Sequence, residues 1–240
     1  MTKLLYQNDS YLKEFQATVQ ALDEEAHVVI LDQTAFYPGG GGQVADKGVL
    51  KVDGQEFPLV RAKHGPNGVL HIVEADHALP AVGSTVTGVL DWDLRYKNMR
   101  THTAMHILCG TIYRDFGAHV TGGDMEPLKG RMDFEFESMT HELVEVIDAA
   151  VNKEVAAARD IRVAILPREE AFQIPDLIRT KISLLPEGIK EVRTVEIVGL
   201  DLQADGGTHV KNTSEVGRMH VVDYKSKGKI NKRIYVELDE

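Results

Sequence analysis

Two stretches about 100 residues apart constrain this chain more than any other feature: His102-Thr-Ala-Met-His106 and Asp205-Gly-Gly-Thr-His209. The first lies within residues 94–116, a proline-free run in which Met99, Ile107, Leu108 and Ile112 recur at helical spacing. Residues four apart share a helix face, so imidazoles at 102 and 106 stand one above the other and can hold one ion, as in H-E-x-x-H zinc sites. The second stretch keeps the four-residue spacing but interposes two glycines and a threonine. That is loop chemistry, because glycine lets the backbone turn sharply and approach a ligand closely. Taken singly, each stretch has a plain reading: a histidine pair divided between core and surface, and a tight turn with a surface aspartate. Together they offer three imidazoles and a carboxylate, a donor set suited to one zinc ion and also to other borderline divalent ions.

The rest of the chain reads as α+β. Residues 1–90 are expected to form a small β-barrel-like domain. Strands are expected at 15–22, 27–31, 68–73 and 85–92, with a hairpin over 48–60 turned by Asp53-Gly54. Residues 91–240 are expected to carry an antiparallel sheet with packed helices. A helix over 91–120 opens on Asp91 and Asp93. The chain should then turn through Gly122-Gly123 and Gly130 into a strand at 131–136. A helix from Thr140 to about Arg159 carries an apolar stripe of Leu143, Val146, Ile147, Ala150, Val151 and Val155. A strand at 162–166, a short helix from Arg168, a strand at 191–198 that delivers the Asp205 loop, and a closing hairpin at 220–224 and 232–238 complete the reading.

Three further stretches carry candidate chemistry. Residues 39–42 are four glycines after Pro38, followed by Gln43. They are either a plain loop or backbone lining a narrow cleft, with Gln43 as donor and acceptor. They are no phosphate-binding P-loop, because the Gly-Lys-Ser/Thr ending is missing. Arg100 and Tyr96 can reach a nucleotide or cover the core. Lys225, Lys227, Lys229, Lys232 and Arg233 place five positive charges in nine residues, a solvated hairpin tip or a set of phosphate contacts. Lys211 and Asn212 can add to the same side.

Composition narrows the classes. A net charge of −10 argues against a protein held on nucleic acid by bulk electrostatics, without excluding a local basic groove. No apolar run approaches the ~18 residues of a membrane span. The N-terminus does not read as a signal peptide. The single cysteine, Cys109, cannot make an internal disulfide, which fits a cytoplasmic protein.

The two histidine stretches also carry a resemblance. They resemble H-x-x-x-H followed about 100 residues later by C-G-G-T-H, the metal signature of the alanyl-tRNA editing domain, found within alanyl-tRNA synthetase and in the free-standing AlaX proteins. Arg100-Thr-His-Thr-Ala-Met-His-Ile-Leu108, Gly206-Gly-Thr-His-Val-Lys-Asn-Thr-Ser-Glu-Val-Gly217 and the stretch from Asp32 to Gly48 extend the likeness over nearly the whole chain in order. One departure stands out: the family commonly has cysteine where this chain has Asp205. Asp205 either ligates through oxygen or leaves a three-histidine site with extra water.

The resemblance implies a barrel-like N-terminal domain joined to an editing domain. It implies hydrolysis of serine, and also glycine, from mischarged tRNA(Ala), with the acceptor end of tRNA(Ala) as partner. It implies that the glycines Gly40, Gly41 and Gly42 with Gln43 face the editing site, and that Thr103 helps recognise the serine hydroxyl. A helix threonine bonded back to its own backbone is the plain alternative for Thr103. No ATP-binding synthetic motif is present, so no aminoacylation is expected. Hydrolysis of the ester needs an activated water and a stabilised oxyanion. A divalent ion supplies both, bringing the pKa of bound water toward ~7, or else orients the substrate. Two rival classes remain open: a non-catalytic tRNA-binding module with a structural metal, and a metal hydrolase for a small ester or amide.

Overall fold

The computed structural model describes residues 1–66, 68–177 and 188–240. The chain forms two compact units, Met1–Lys97 and Asn98–Glu240. No helix among the described residues is long and apolar enough to cross a membrane.

In the first unit, β1 (Lys3–Leu4) and β4 (Gln33–Thr34) pair in parallel. The body of the unit is a closed antiparallel barrel. Its strands are β2 (Glu14–Asp23), β3 (Val28–Leu31), β5 (Gly48–Val52), β6 (Gln55–Gly65), β7 (Gly68–Val73) and β8 (Thr85–Leu90), in the order β2-β3-β7-β6-β5-β8. Burial alternates residue by residue along β7 and β8, as the two-residue period of a strand demands. Phe15, Val29, Leu50, Phe57, Leu59 and Val86 are among the inward residues that fill the interior. The β5–β6 hairpin turns on Asp53 and Gly54, at φ 48° and 80°. Positive φ at both turn residues matches the right-handed twist of the flanking strands. The expected small barrel is thus present, and closure leaves it no unpaired edge.

The second unit holds most of α1 (Trp92–Phe116), which begins in the first. Every residue from Thr101 to Gly110 is buried. This stretch has no solvated face, so its histidines and threonines must find partners inside. Two antiparallel sheets complete the unit. One has the order β14-β15-β10-β9, from β14 (Met219–Ser226), β15 (Asn231–Leu238), β10 (Lys129–Glu135) and β9 (Val120–Glu126). The other runs β11-β12-β13, from β11 (Ile161–Pro167), β12 (Glu191–Ile197) and β13 (Asp201–Ala204). Two further helices are α2 (His141–Ala156) and α3 (Arg168–Ala171).

Three local expectations need correction. Gly122 and Gly123 lie within β9, opposite Asp133 and Met132, and the turn comes after them, with Leu128 at φ 63°. Pairing along β10 outweighs the poor strand propensity of glycine. Helix α2 starts as expected, Thr140 accepting the Leu143 N–H at 3.2 Å, but ends at Ala156. Its buried stripe is Val144, Ile147, Val151 and Val155, while Val146 is 55% exposed. Finally, β12 does not deliver the Asp205 loop directly: β13 intervenes, pairing Thr194 with Ala204 and Ile197 with Asp201.

Candidate metal centre

The middle of α1 presents His102 and His106 on one face, and the loop after β13 brings Asp205 and His209 to them. Each of the four residues offers one ligand atom, and all of these atoms lie within 4.8 Å of one another. His102 Nε2 stands 3.4 Å from Asp205 Oδ1, and His209 Nε2 stands 3.0 Å from Asp205 Oδ2. The ring centroids of His102 and His209 are 4.3 Å apart, and those of His106 and His209 are 4.8 Å apart. Cys109 is buried, takes an N–H from Gln203 at 3.4 Å and is not among the converging groups.

The loop's sequence explains its shape. Asp205 Oδ2 accepts the Gly207 N–H at 2.7 Å, a local turn closed by a carboxylate. The same residue is held from β12, since its N–H donates to Arg193 O at 3.1 Å and its carbonyl accepts from Arg193 Nη1 at 2.9 Å. Arg193 Nη1 also lies 3.7 Å from Asp205 Oδ2.

Outer partners orient the rings. His106 Nδ1 donates to Asp201 Oδ2 at 3.2 Å, and Gln203 Nε2 donates to the same oxygen at 2.6 Å. In the neutral ring this leaves Nε2 of His106 without a proton. The Thr103 hydroxyl accepts the Val210 N–H at 3.3 Å and lies 3.1 Å from His209 Nδ1. A ring nitrogen tied in this way to an oxygen sets the tautomer and leaves the other nitrogen for a ligand.

Electrostatics at His102, His209 and Asp205 agree with a ligand set. Burial drives His102 well below the ordinary imidazole value, although Asp205 opposes this. Burial takes His209 down to about 4 against its hydrogen bond to Asp205. At His106 burial also resists protonation, but the Asp201 hydrogen bond and the Asp205 charge raise it overall. Burial opposes ionisation of Asp205, yet His102 and the His209 hydrogen bond hold its carboxyl well below the usual range. Neutral imidazoles and an ionised carboxylate are the forms that bind a metal. Borderline nitrogen and oxygen donors at this spacing fit a divalent ion such as zinc.

The other expected site residues have the following surroundings. Gly40, Gly41 and Gly42 are in the barrel unit at φ 130°, 57° and 86°, a run that side chains rarely adopt. Gln43 is buried, and its backbone closes a tight turn with Gly40 through bonds of 2.9 and 3.1 Å. Arg100 donates to Val216 O at 2.9 Å and to Asp239 O at 2.5 Å, fastening the chain's end to the Thr213–Val216 turn. Lys227 and Lys229 are exposed at the β14–β15 tip. Lys232 is buried and caps that tip through Gly228 O at 2.9 Å. Arg233 pairs across the strands with Asp133, at 2.6 and 2.8 Å.

Asp201 and Arg193 escaped the sequence reading. A signal was present: Asp201, Gln203 and Asp205 alternate, the pattern of one polar strand face, while Leu202 and Ala204 pack against a small apolar cluster.

Relatives decide the family. An alanyl-tRNA editing protein AlaX-M of Saccharolobus solfataricus is 43% identical over 237 residues, covering 98% of each chain. The chain belongs to the AlaX-M family. An AlaX-M protein of Methanosarcina mazei is 37% identical, over 99% of this chain and 97% of its own. Residues 6–94, most of the barrel unit, match the family model for tRNA synthetases class II (A). Residues 192–235, which include the Asp205–His209 loop, match the threonyl and alanyl tRNA synthetase second additional domain. An alanine–tRNA ligase of Ignicoccus hospitalis is 37% identical over 92% of this chain, which spans only 24% of that enzyme. The AlaX-M likeness therefore runs through both units, from the barrel to the loop that carries Asp205.

Proposed function

We propose that this chain is a trans-editing hydrolase that removes serine, and also glycine, from mischarged tRNA(Ala). The observation that carries the reading is the convergence of His102, His106, Asp205 and His209 within 4.8 Å, in a chain matched end to end by alanyl-tRNA editing proteins. A second hydrolytic site answers a limit of the first: a synthetic pocket cannot strongly reject an isostere that merely adds a hydroxyl.

His102, His106 and His209 would hold one zinc ion through neutral ring nitrogens, with Asp205 as the fourth, anionic donor. Such an ion supplies Lewis acidity to the ester carbonyl and lowers the pKa of water. Asp201 keeps the His106 proton on Nδ1. Thr103, fully buried, acts through His209: its oxygen meets His209 Nδ1 and fixes which nitrogen faces the other ligands. Gly40 to Gly42 are the proposed substrate-binding residues of the barrel unit, with Gln43 as a proposed catalytic group. The hairpin tip offers Lys227 and Lys229 to tRNA phosphates. Water adds to the ester carbon, the bond to the terminal ribose oxygen breaks, and that oxygen leaves with a proton, giving free amino acid and uncharged tRNA. A site that hydrogen-bonds the serine hydroxyl spares alanine, which would leave that partner unpaired.

The test is release of serine from Ser-tRNA(Ala), with Ala-tRNA(Ala) alongside, before and after chelation and zinc add-back. Fast serine release, spared alanine and loss of activity on chelation are expected. No serine release by the zinc-replete chain would defeat the assignment.

A further inference from the structure

The barrel unit contains a cavity of about 590 Å³ lined by the glycine loop and by β6. Two long-range hydrogen bonds frame it. Ala62 N donates to Asp46 O at 3.3 Å, and His64 Nε2 donates to Gly39 O at 3.0 Å. Ala62 is fully buried, so its neighbours Arg61 and Lys63 both turn outward, and the bond to Asp46 sets them beside Lys47. All three cations are exposed cavity residues. Among the described residues none of the three pairs with a carboxylate, and no acidic residue lines the cavity.

The acid adjacent in sequence is already neutralised. Asp46 is buried and takes a multidentate ion pair from Arg95, together with the Tyr37 N–H at 2.6 Å. The cavity is therefore positive in a chain whose net charge is −10. Its wall also exposes Val44 and Val60, at 37% and 45%. A cationic rim beside an apolar wall suits a nucleic-acid strand, with phosphates on the cations and a base or sugar against the wall.

We propose that this barrel face binds RNA phosphates through Lys47, Arg61 and Lys63 and, resting on the editing reading above, that it holds the aminoacyl-tRNA substrate. The contacts position the RNA and read no sequence.

The test compares the full-length wild type with K47A/R61A/K63A and with the charge-conserving K47R/R61K/K63R. A tRNA(Ala) transcript is titrated at several salt concentrations, and KM and kcat are measured on Ser-tRNA(Ala). With alanines, RNA affinity is expected to fall at least ~10-fold. The slope of log K against log salt is expected to flatten by about 2 to 3, at ~0.7 to 0.9 per phosphate contact. The loss should appear in KM rather than kcat, and the charge-conserving variant should restore it.

Unchanged affinity and slope in the alanine variant overturn the proposal. An equal loss of binding to a mononucleotide, with the RNA slope altered by about 1 or less, assigns the cavity to a small phosphate ligand and also overturns it. Wild-type RNA binding that the variant loses, without serine release by either, upholds this surface and removes the editing reading. Serine release with KM and slope untouched does the reverse.

Discussion

Each unit buries a dense polar cluster among its described residues, and the two are built differently. In the barrel unit, Arg95 and Asp46 satisfy each other. The guanidinium also donates to Ser10 O at 2.9 Å and to Ala35 O at 2.5 Å, and Tyr37 N–H completes the carboxylate. Donors meet acceptors, and nothing further is required. In the second unit, His102, His106, Asp205 and His209 turn ligand atoms toward one another, and three are ring nitrogens that burial or an outer hydrogen bond keeps available. A set of this make-up suits a cation, and His209 Nε2 also stands at hydrogen-bond distance, 3.0 Å, from Asp205 Oδ2. Burial alone therefore does not separate the two clusters; the make-up of their donors and acceptors does.

The largest effect should come from the second cluster. His209→Ala is expected to lower deacylation about 10³-fold or more, as loss of several kcal/mol of Lewis-acid stabilisation implies. It should also remove the zinc-dependent rise in melting temperature, which for wild type at 100 times Kd corresponds to about 2.7 kcal/mol. A variant that keeps full activity and the zinc response would erase the distinction between the clusters.

Asp46→Ala tests the other side. It strands a buried guanidinium and should destabilise the chain by about 3–5 kcal/mol in urea unfolding, with no rescue by zinc. Zinc rescue would show that the first cluster is not purely structural.

A pH series sharpens the comparison. His71 is fully buried in the barrel, where its Nε2 meets Thr34 Oγ1 at 2.8 Å and its Nδ1 donates to Val29 O at 3.0 Å. Burial takes it from 6.5 down to about 4, against the Val29 bond. The unfolded chain takes up that proton first, so the contribution is complete above about pH 6.5 and is lost as pH falls toward 4. The loss should reach about 3 kcal/mol, and His71→Gln should abolish this component of the pH slope.

Asp201→Asn should weaken zinc binding about 10- to 100-fold in a chelator competition, through His106, with little change in unfolding. The smallest effect is expected from K227A/K229A. Exposed phosphate contacts at the hairpin tip should raise KM a few-fold and flatten the salt slope by about 1 to 2.

Much of this architecture was legible along the chain because it is written in short periods. The two-residue alternation and the Asp53-Gly54 turn announced the barrel strands. The four-residue spacing of His102 and His106 put both on one helix face, and the glycines after Asp205 announced a loop. Where local rules conflicted with pairing, pairing won: Gly122 and Gly123 joined a strand. The outer partners of the ligands were less visible. Asp201 is remote from His106 in sequence, and only its alternation with Gln203 and Asp205 hinted at a polar face.

The sequence by itself determined which elements form and which residue types are available to a metal, since both depend on neighbours within a turn or a strand. Tertiary structure alone decided which charges remain available. Lys232 and Arg233 read as either a solvated hairpin tip or phosphate contacts; one caps its own hairpin and the other is matched by Asp133 from a strand 100 residues away. Lys47, Arg61 and Lys63 were not singled out along the chain, yet folding gathers them on one cavity, and among the described residues none of them pairs with a carboxylate. The physical reason is that a side chain's charge is fixed covalently, whereas its neutralisation depends on which distant carboxylate the fold brings within a few ångströms.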